Sequence, residues 1–143
     1  MQRKASAVWQ GDLKTGKGTI STDSDTLKNS QYSFSTRFEN GVGTNPEELL
    51  AAAHAGCFTM ALAAQLGAMQ FTPETLRTTA TVTLEKLEAG WTISKVHLDV
   101  TARLRGVSAA AFEAAAVGAK ENCPVSRLLK AEISMTAHLE QAA

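Results

Sequence analysis

Two cysteines occur in the 143-residue chain, and each sits in a setting that can change its chemistry. Cys57 lies in an Ala/Leu-rich stretch, Ala52-Ala53-His54-Ala55-Gly56-Cys57-Phe58, and Cys123 precedes a proline in Asn122-Cys123-Pro124-Val125-Ser126. A thiol is a nucleophile only as its thiolate, and its pKa is set by such surroundings. Two thiols of this kind in one small chain suggest a redox pair. Unaided physics selects Cys123 as the reactive one, because Pro124 reads as the first residue of a new helix whose backbone donors and dipole lower the pKa. Cys57 in an apolar helix should have its pKa raised by desolvation unless a cation is supplied.

Other chemistries fit less well. Two cysteines alone make a poor metal site, and His54, His97 and His138 show no ligand spacing with them. Lys+Arg and Asp+Glu both number 14, so there is no basic excess to attract nucleic acid and no polybasic segment for a membrane. The start, Met1-Gln2-Arg3-Lys4-Ala5-Ser6, leads into polar residues, so no signal peptide is expected and a cytoplasmic location is the default. In that compartment a standing disulfide is rare and paired cysteines lean toward redox chemistry.

The elements that must position the thiols can be read along the chain. Lys4 to Trp9, Lys17 to Thr22 and Gln31 to Thr36 alternate weakly and read as short strands, with Gly11-Asp12 and Gly16-Lys17-Gly18 turning between the first two. Asn45-Pro46-Glu47-Glu48 is a strong helix start, with Asn45 as cap, Pro46 at the first position and two glutamates facing the dipole. The spacing predicts a helix from Pro46 to Leu66, stopped by Gly67 and buried on nearly every side. Its apolar run is too short and Ala-rich for a membrane span. A hairpin follows, with Leu76, Thr78, Ala80, Val82 and Leu84 on one face and a turn at Glu88-Ala89-Gly90. The apolar phase slips between Ile93 and Val96, which predicts a bulge near Ser94-Lys95. Ser108 should cap a helix to about Asn122, Pro124 to Lys130 a short one, and Ile133 to Leu139 a closing strand. The order βββ-α-ββ-α-α-β describes one α+β domain over residues 1–143.

Helical geometry limits what can reach Cys57. At 100° per residue, Glu47 falls about 80° from the Cys57 direction and Glu48 about 180°. His54, three positions back, lies about 60° away. Against a functional role stand two ordinary explanations: glutamates gather at helix starts for dipole reasons, and a histidine in a packed helix is commonly a satisfied core group.

Several segments together resemble the osmotically inducible protein C (OsmC) family. They are Trp9-Gln10-Gly11-Asp12-Leu13-Lys14 with Gly16-Lys17-Gly18-Thr19, then Thr36-Arg37-Phe38-Glu39, Gly43-Thr44-Asn45-Pro46-Glu47-Glu48-Leu49, and the stretches around Cys57 and Cys123. The Trp-Gln-Gly-Asp stretch and the arginine ahead of Gly-Thr-Asn-Pro-Glu are similar to the OsmC branch rather than its organic hydroperoxide resistance sister branch. The resemblance implies an OsmC-like fold with a long central buried helix carrying Cys57, in an intertwined homodimer with active sites at the subunit interface. It implies a peroxiredoxin-like hydroperoxide reductase of oxidative and osmotic stress defence, preferring organic hydroperoxides to hydrogen peroxide. By the same resemblance Cys57 matches the peroxidatic cysteine and Cys123 the resolving one. Arg37 matches the arginine that stabilises the thiolate, and Glu47 the glutamate that orients that arginine; Gly56 is a small-residue exchange. A Cys57–Cys123 disulfide would be reopened by an external dithiol, of lipoyl type, with no metal or organic cofactor, nucleic acid or membrane involved.

Two other classes remain open. A cysteine hydrolase would need a base beside its nucleophile, for which only the three histidines offer themselves, and no nucleophile motif accompanies them. A non-catalytic, stress-related ligand-binding module would hold both thiols as inert core residues.

Overall fold

The computed structural model describes residues 1–143, and the chain falls into two compact units, Met1–Leu49 and Leu50–Ala143. In the first, β1 (Ala5–Gln10), β2 (Lys17–Thr22) and β3 (Ser30–Tyr32) form an antiparallel sheet in sequence order. Asp12 closes the first turn, its carboxylate accepting from the N–H groups of Lys14 (2.9 Å) and Thr15 (3.0 Å). Gly18 lies where the rings of Trp9 and Tyr32 converge, their centroids 5.4 Å apart; a Cβ there would come within 2.7 Å of the Trp9 ring.

The third strand ends at Tyr32 and does not continue to Thr36 as the sequence suggested; a short helix, α1 (Phe34–Phe38), replaces its second half. Local capping causes the switch. The Ser33 N–H donates to Thr36 Oγ1 (2.9 Å) and the Thr36 N–H to Ser33 Oγ (3.3 Å), a reciprocal pair that offers the backbone an alternative to the ladder. Phe34 and Phe38, four residues apart, then stack on one face with ring centroids 4.9 Å apart. Arg37 is thereby presented from a helix.

The long helix α2 (Pro46–Ala68) starts as expected, with Asn45 Oδ1 accepting from the Glu48 N–H at 2.8 Å. It runs through Gly67 rather than stopping there. The left-handed residue is Gln70 (φ 64°), and the Phe71 N–H to Leu66 and Gln70 N–H to Gly67 bonds, both 2.9 Å, close the end.

In the second unit β4 (Thr75–Leu87) pairs antiparallel with β5 (Gly90–Leu104), and β6 (Glu132–Gln141) joins the other edge of β5 in parallel. The bulge falls where the apolar phase slips: Thr83 faces Lys95 but Leu84 faces Ile93, leaving Ser94 over. Beyond it Val96, Leu98, Val100, Ala102 and Leu104 are all buried. Helix α3 (Ala109–Asn122) is capped by Ser108, which accepts from the Ala111 N–H at 3.2 Å, and α4 (Pro124–Leu128) is two residues shorter than expected.

Helix α2 is buried less widely than its composition suggested. His54, Phe58, Leu62 and Leu66, one residue every four, are its buried positions, whereas Met60 is 76% exposed. Its 23 residues are long and apolar enough to cross a bilayer, with a mean hydropathy of 1.5 over the most apolar window. Phe58, Leu62 and Leu66 are instead part of the core with β5 and α3, each contributing about 1.5–3 kcal/mol through burial. The fold is α+β, two three-stranded sheets with four helices.

Candidate active site

Proline chemistry shapes the Cys123 corner. The residue before a proline is pushed out of the α region, so α3 ends at Asn122 and Cys123 takes φ −58°, ψ 123°. The Cys123 N–H still bonds back to Ala119 (2.9 Å), and its carbonyl already accepts from the Arg127 N–H (3.0 Å) in the next helix. No side-chain oxygen caps α4, so the N–H groups of its first turn are left for the sulfur.

Cys57 lies one residue before Phe58 on α2, half-buried and packed against the core, while Cys123 is fully buried; both are free thiols. The two side chains hydrogen-bond to each other. Burial pushes the Cys57 thiol up, and its bond to Cys123 and the nearby Cys123 charge push it further, against a smaller opposing pull from the Val125 N–H. For Cys123 burial works upward too, but donors outweigh it. The Ser126 N–H, the Cys57 thiol, the Ser126 hydroxyl and the Val125 N–H together hold Cys123 below the ordinary thiol range. Within this unit Cys123 is therefore the more acidic thiol of the pair and Cys57 the less acidic, the order expected from the sequence.

Ser126 was not singled out from the sequence, although it stands three residues after Cys123, where a first-turn side chain turns back toward the residue ahead of the helix. It is buried, and its Oγ lies 2.7 Å from His54 Nε2. His54 itself is wholly buried, and its Nδ1 has no hydrogen-bond partner. Burial alone lowers its pKa, which keeps the ring neutral. The fold thus lines up His54, Ser126, Cys123 and Cys57 in one hydrogen-bonded series. A Cβ at Gly56 would meet open space, so nothing around that position demands glycine.

In the first unit Arg37 and Glu47 form a second pair. Arg37 Nε lies 2.9 and 3.2 Å from the two Glu47 carboxylate oxygens, and Nη2 lies 2.7 Å from Oε1. Glu47 is mostly buried at 12% side-chain exposure, and Arg37 remains 39% exposed, its Cζ 5.2 Å above the Phe38 ring. Beside them a cavity of about 280 Å³ is walled by Trp9, Leu13, Tyr32, Phe34 and Phe38. A larger groove of about 660 Å³ between α3 and β6 contains neither cysteine.

The OsmC-like protein family model matches residues 38–138. The chain is also 48% identical over 140 residues to Peroxiredoxin OsmC of Escherichia coli (strain K12), covering 98% of each, and equally to that of Shigella flexneri. The chain belongs to the OsmC-like family. Solved structures repeat the fold at lower identity. An OsmC-like protein of unknown function from Vibrio cholerae superposes with a TM-score of 0.77 at 18% identity, over 96% of this chain and 99% of that one. The organic hydroperoxide resistance protein OhrB of Bacillus subtilis does so with a TM-score of 0.68 at 21% identity, over 96% and 98%. In this OsmC-like chain the matched region takes in both thiols, Glu47 and the His54–Ser126 contact, and begins one residue after Arg37.

Proposed function

We propose that this chain is a thiol-dependent peroxidase, a peroxiredoxin-like enzyme that reduces hydroperoxides, organic ones in preference. The observation that carries the reading is the contact between two free thiols of unequal exposure and opposed pKa displacement. The half-buried Cys57 is the one a substrate can approach; the fully buried Cys123, the more acidic of the two, is the one that resolves. Relatives named as peroxiredoxins support the same chemistry.

In the first step the Cys57 thiolate attacks the outer oxygen of the hydroperoxide. An S–O bond forms, the O–O bond breaks, and the departing alkoxide takes a proton to leave as alcohol, or as water from hydrogen peroxide. Cys123 thiolate then attacks the Cys57 sulfur, forming the disulfide and releasing hydroxide, which is protonated to water. An external dithiol, of lipoyl type, reopens the disulfide by exchange. Arg37, oriented by Glu47, is the cation that makes a Cys57 thiolate affordable, and the apolar cavity beside it suits the organic part of a substrate. The whole chain acts as one functional domain of stress defence, in the cytoplasm.

Steady-state turnover checks this directly. With a dithiol as reductant, cumene or tert-butyl hydroperoxide should be consumed at a higher kcat/KM than hydrogen peroxide. A chain that consumes neither, and whose thiols resist alkylation at neutral pH, would be the inert binding module instead.

The working species is a homodimer, with the interface contributing to the site. In one chain Met60, Val8, Leu13 and Trp91 all expose more than half of their surface. That is a large apolar display for a small chain, and most closed oligomers are two-fold dimers. An intertwined partner would cover these residues and bring an Arg37 to each Cys57. Sedimentation equilibrium at micromolar protein should report about twice the 15.1 kDa chain mass. A fully active species sedimenting at the chain mass would overturn the dimer.

A further inference from the structure

His54 and Ser126 are buried polar groups that the peroxidase steps above leave without a task, and they contact each other and the resolving thiol. A hydroxyl has one proton to give. With Nε2···Oγ at 2.7 Å, the imidazole tautomer decides where that proton points. A ring protonated on Nδ1 would draw the Ser126 proton to Nε2 and bury an unpaired N–H. One protonated on Nε2 donates to Ser126 Oγ, frees the Ser126 proton for the Cys123 sulfur, and leaves only a bare acceptor at the partnerless Nδ1. An unpaired buried N–H is the rarer compromise for backbone groups, and a thiolate sulfur wants donors.

We propose that His54 is a positioning residue for the resolving step: as the neutral Nε2–H tautomer it donates to Ser126 and so directs the Ser126 hydroxyl onto the Cys123 thiolate that attacks the Cys57 sulfenic acid. This rests on the peroxidase reading above. His54 undergoes no net protonation in the cycle. The step it serves forms the S–S bond, breaks the Cys57 S–O bond, oxidises Cys123 and reduces the sulfenic sulfur by one electron each, and sends the oxygen out as water.

The two chemical steps separate the idea from a merely structural role. Reduced protein is mixed with one equivalent of cumene hydroperoxide at fixed neutral pH and quenched on a millisecond scale. Sulfenic acid is captured with a dione and disulfide counted by mass spectrometry. Ser126→Ala and His54→Leu should form sulfenic acid at the unaltered rate but close the disulfide about tenfold or more slowly, the scale of one hydrogen bond to a charged group. His54→Gln keeps an N–H donor and should recover most of that rate. Should His54→Leu fail to fold, Ser126→Ala, which removes one oxygen, carries the test alone. Closure at the unaltered rate in Ser126→Ala, or equal slowing of both steps, would overturn the proposal.

Failure of the peroxidase reading looks different: the unaltered protein would form neither sulfenic acid nor disulfide. The relay is then read from thiolate ultraviolet absorbance at fixed pH, comparing Cys57→Ser with Cys57→Ser/Ser126→Ala. A smaller thiolate fraction in the double variant supports it, and an equal one removes it.

Discussion

Replacing Cys57 with serine should reduce peroxide consumption to the uncatalysed background. The argument is one of access as well as chemistry. Cys123 is the more acidic thiol, but it is fully buried at the α3–α4 corner, and the donors that acidify it belong to that corner. A serine at position 57 has no thiolate to offer and leaves Cys123 no sulfenic acid to attack. Cys123→Ser should behave in the opposite way. The first hydroperoxide is consumed in a rapid single turnover, then the enzyme stalls with a sulfenic acid at Cys57 that a dione captures. Rapid-quench peroxide consumption on the two variants checks both outcomes. Continued turnover by Cys57→Ser would mean that the two thiols exchange or share roles.

The pair of variants also tests how the pKa order is to be read. Taken as a ranking of nucleophiles, it points to Cys123 as the first attacker. Taken as a division of labour, it describes a resolving thiol that ionises readily beside a peroxidatic thiol that needs a cation to do so. The second reading accounts for the exposure difference, because only the half-buried sulfur needs to meet a solute.

Much of this was legible in the chain. Asn45-Pro46 gave the start of α2 to the residue, since a cap and a proline act locally. The slip in apolar phase gave the bulge at Ser94, because each side chain on a half-buried strand must choose a face. The pKa order of the thiols followed from Pro124 and the apolar helix. What escaped depended on contacts distant in sequence or on competing local bonds. Gly67 looked like a stop, but Gln70 accepts the left-handed turn with Phe71 packing behind it. Thr36 looked like strand, but a side-chain exchange with Ser33 outweighed one more ladder rung. The His54–Ser126 contact spans 72 residues, and no periodicity reports a pairing of that kind.

Changing Arg37 to alanine should raise the Cys57 pKa and slow the first step by about tenfold or more, since each pKa unit above the working pH removes about nine-tenths of the thiolate. The physical need is plain in the surroundings of Cys57. Burial, the thiol contact and the Cys123 charge all work against its ionisation, and the Val125 N–H is the one opposing group. A guanidinium stays charged at any working pH, and its five N–H groups allow it to hold Glu47 through Nε and Nη2 while presenting others elsewhere. Ultraviolet titration of the thiolate in a Cys123→Ser background isolates Cys57 from its coupled neighbour and reads the shift directly. Glu47→Gln should lose less, because an amide oxygen can still accept from the guanidinium, so the proposed cation is kept and only its aim is loosened. A titration midpoint that does not rise in Arg37→Ala would remove Arg37 from the mechanism, and Cys57 would then need another source of positive potential.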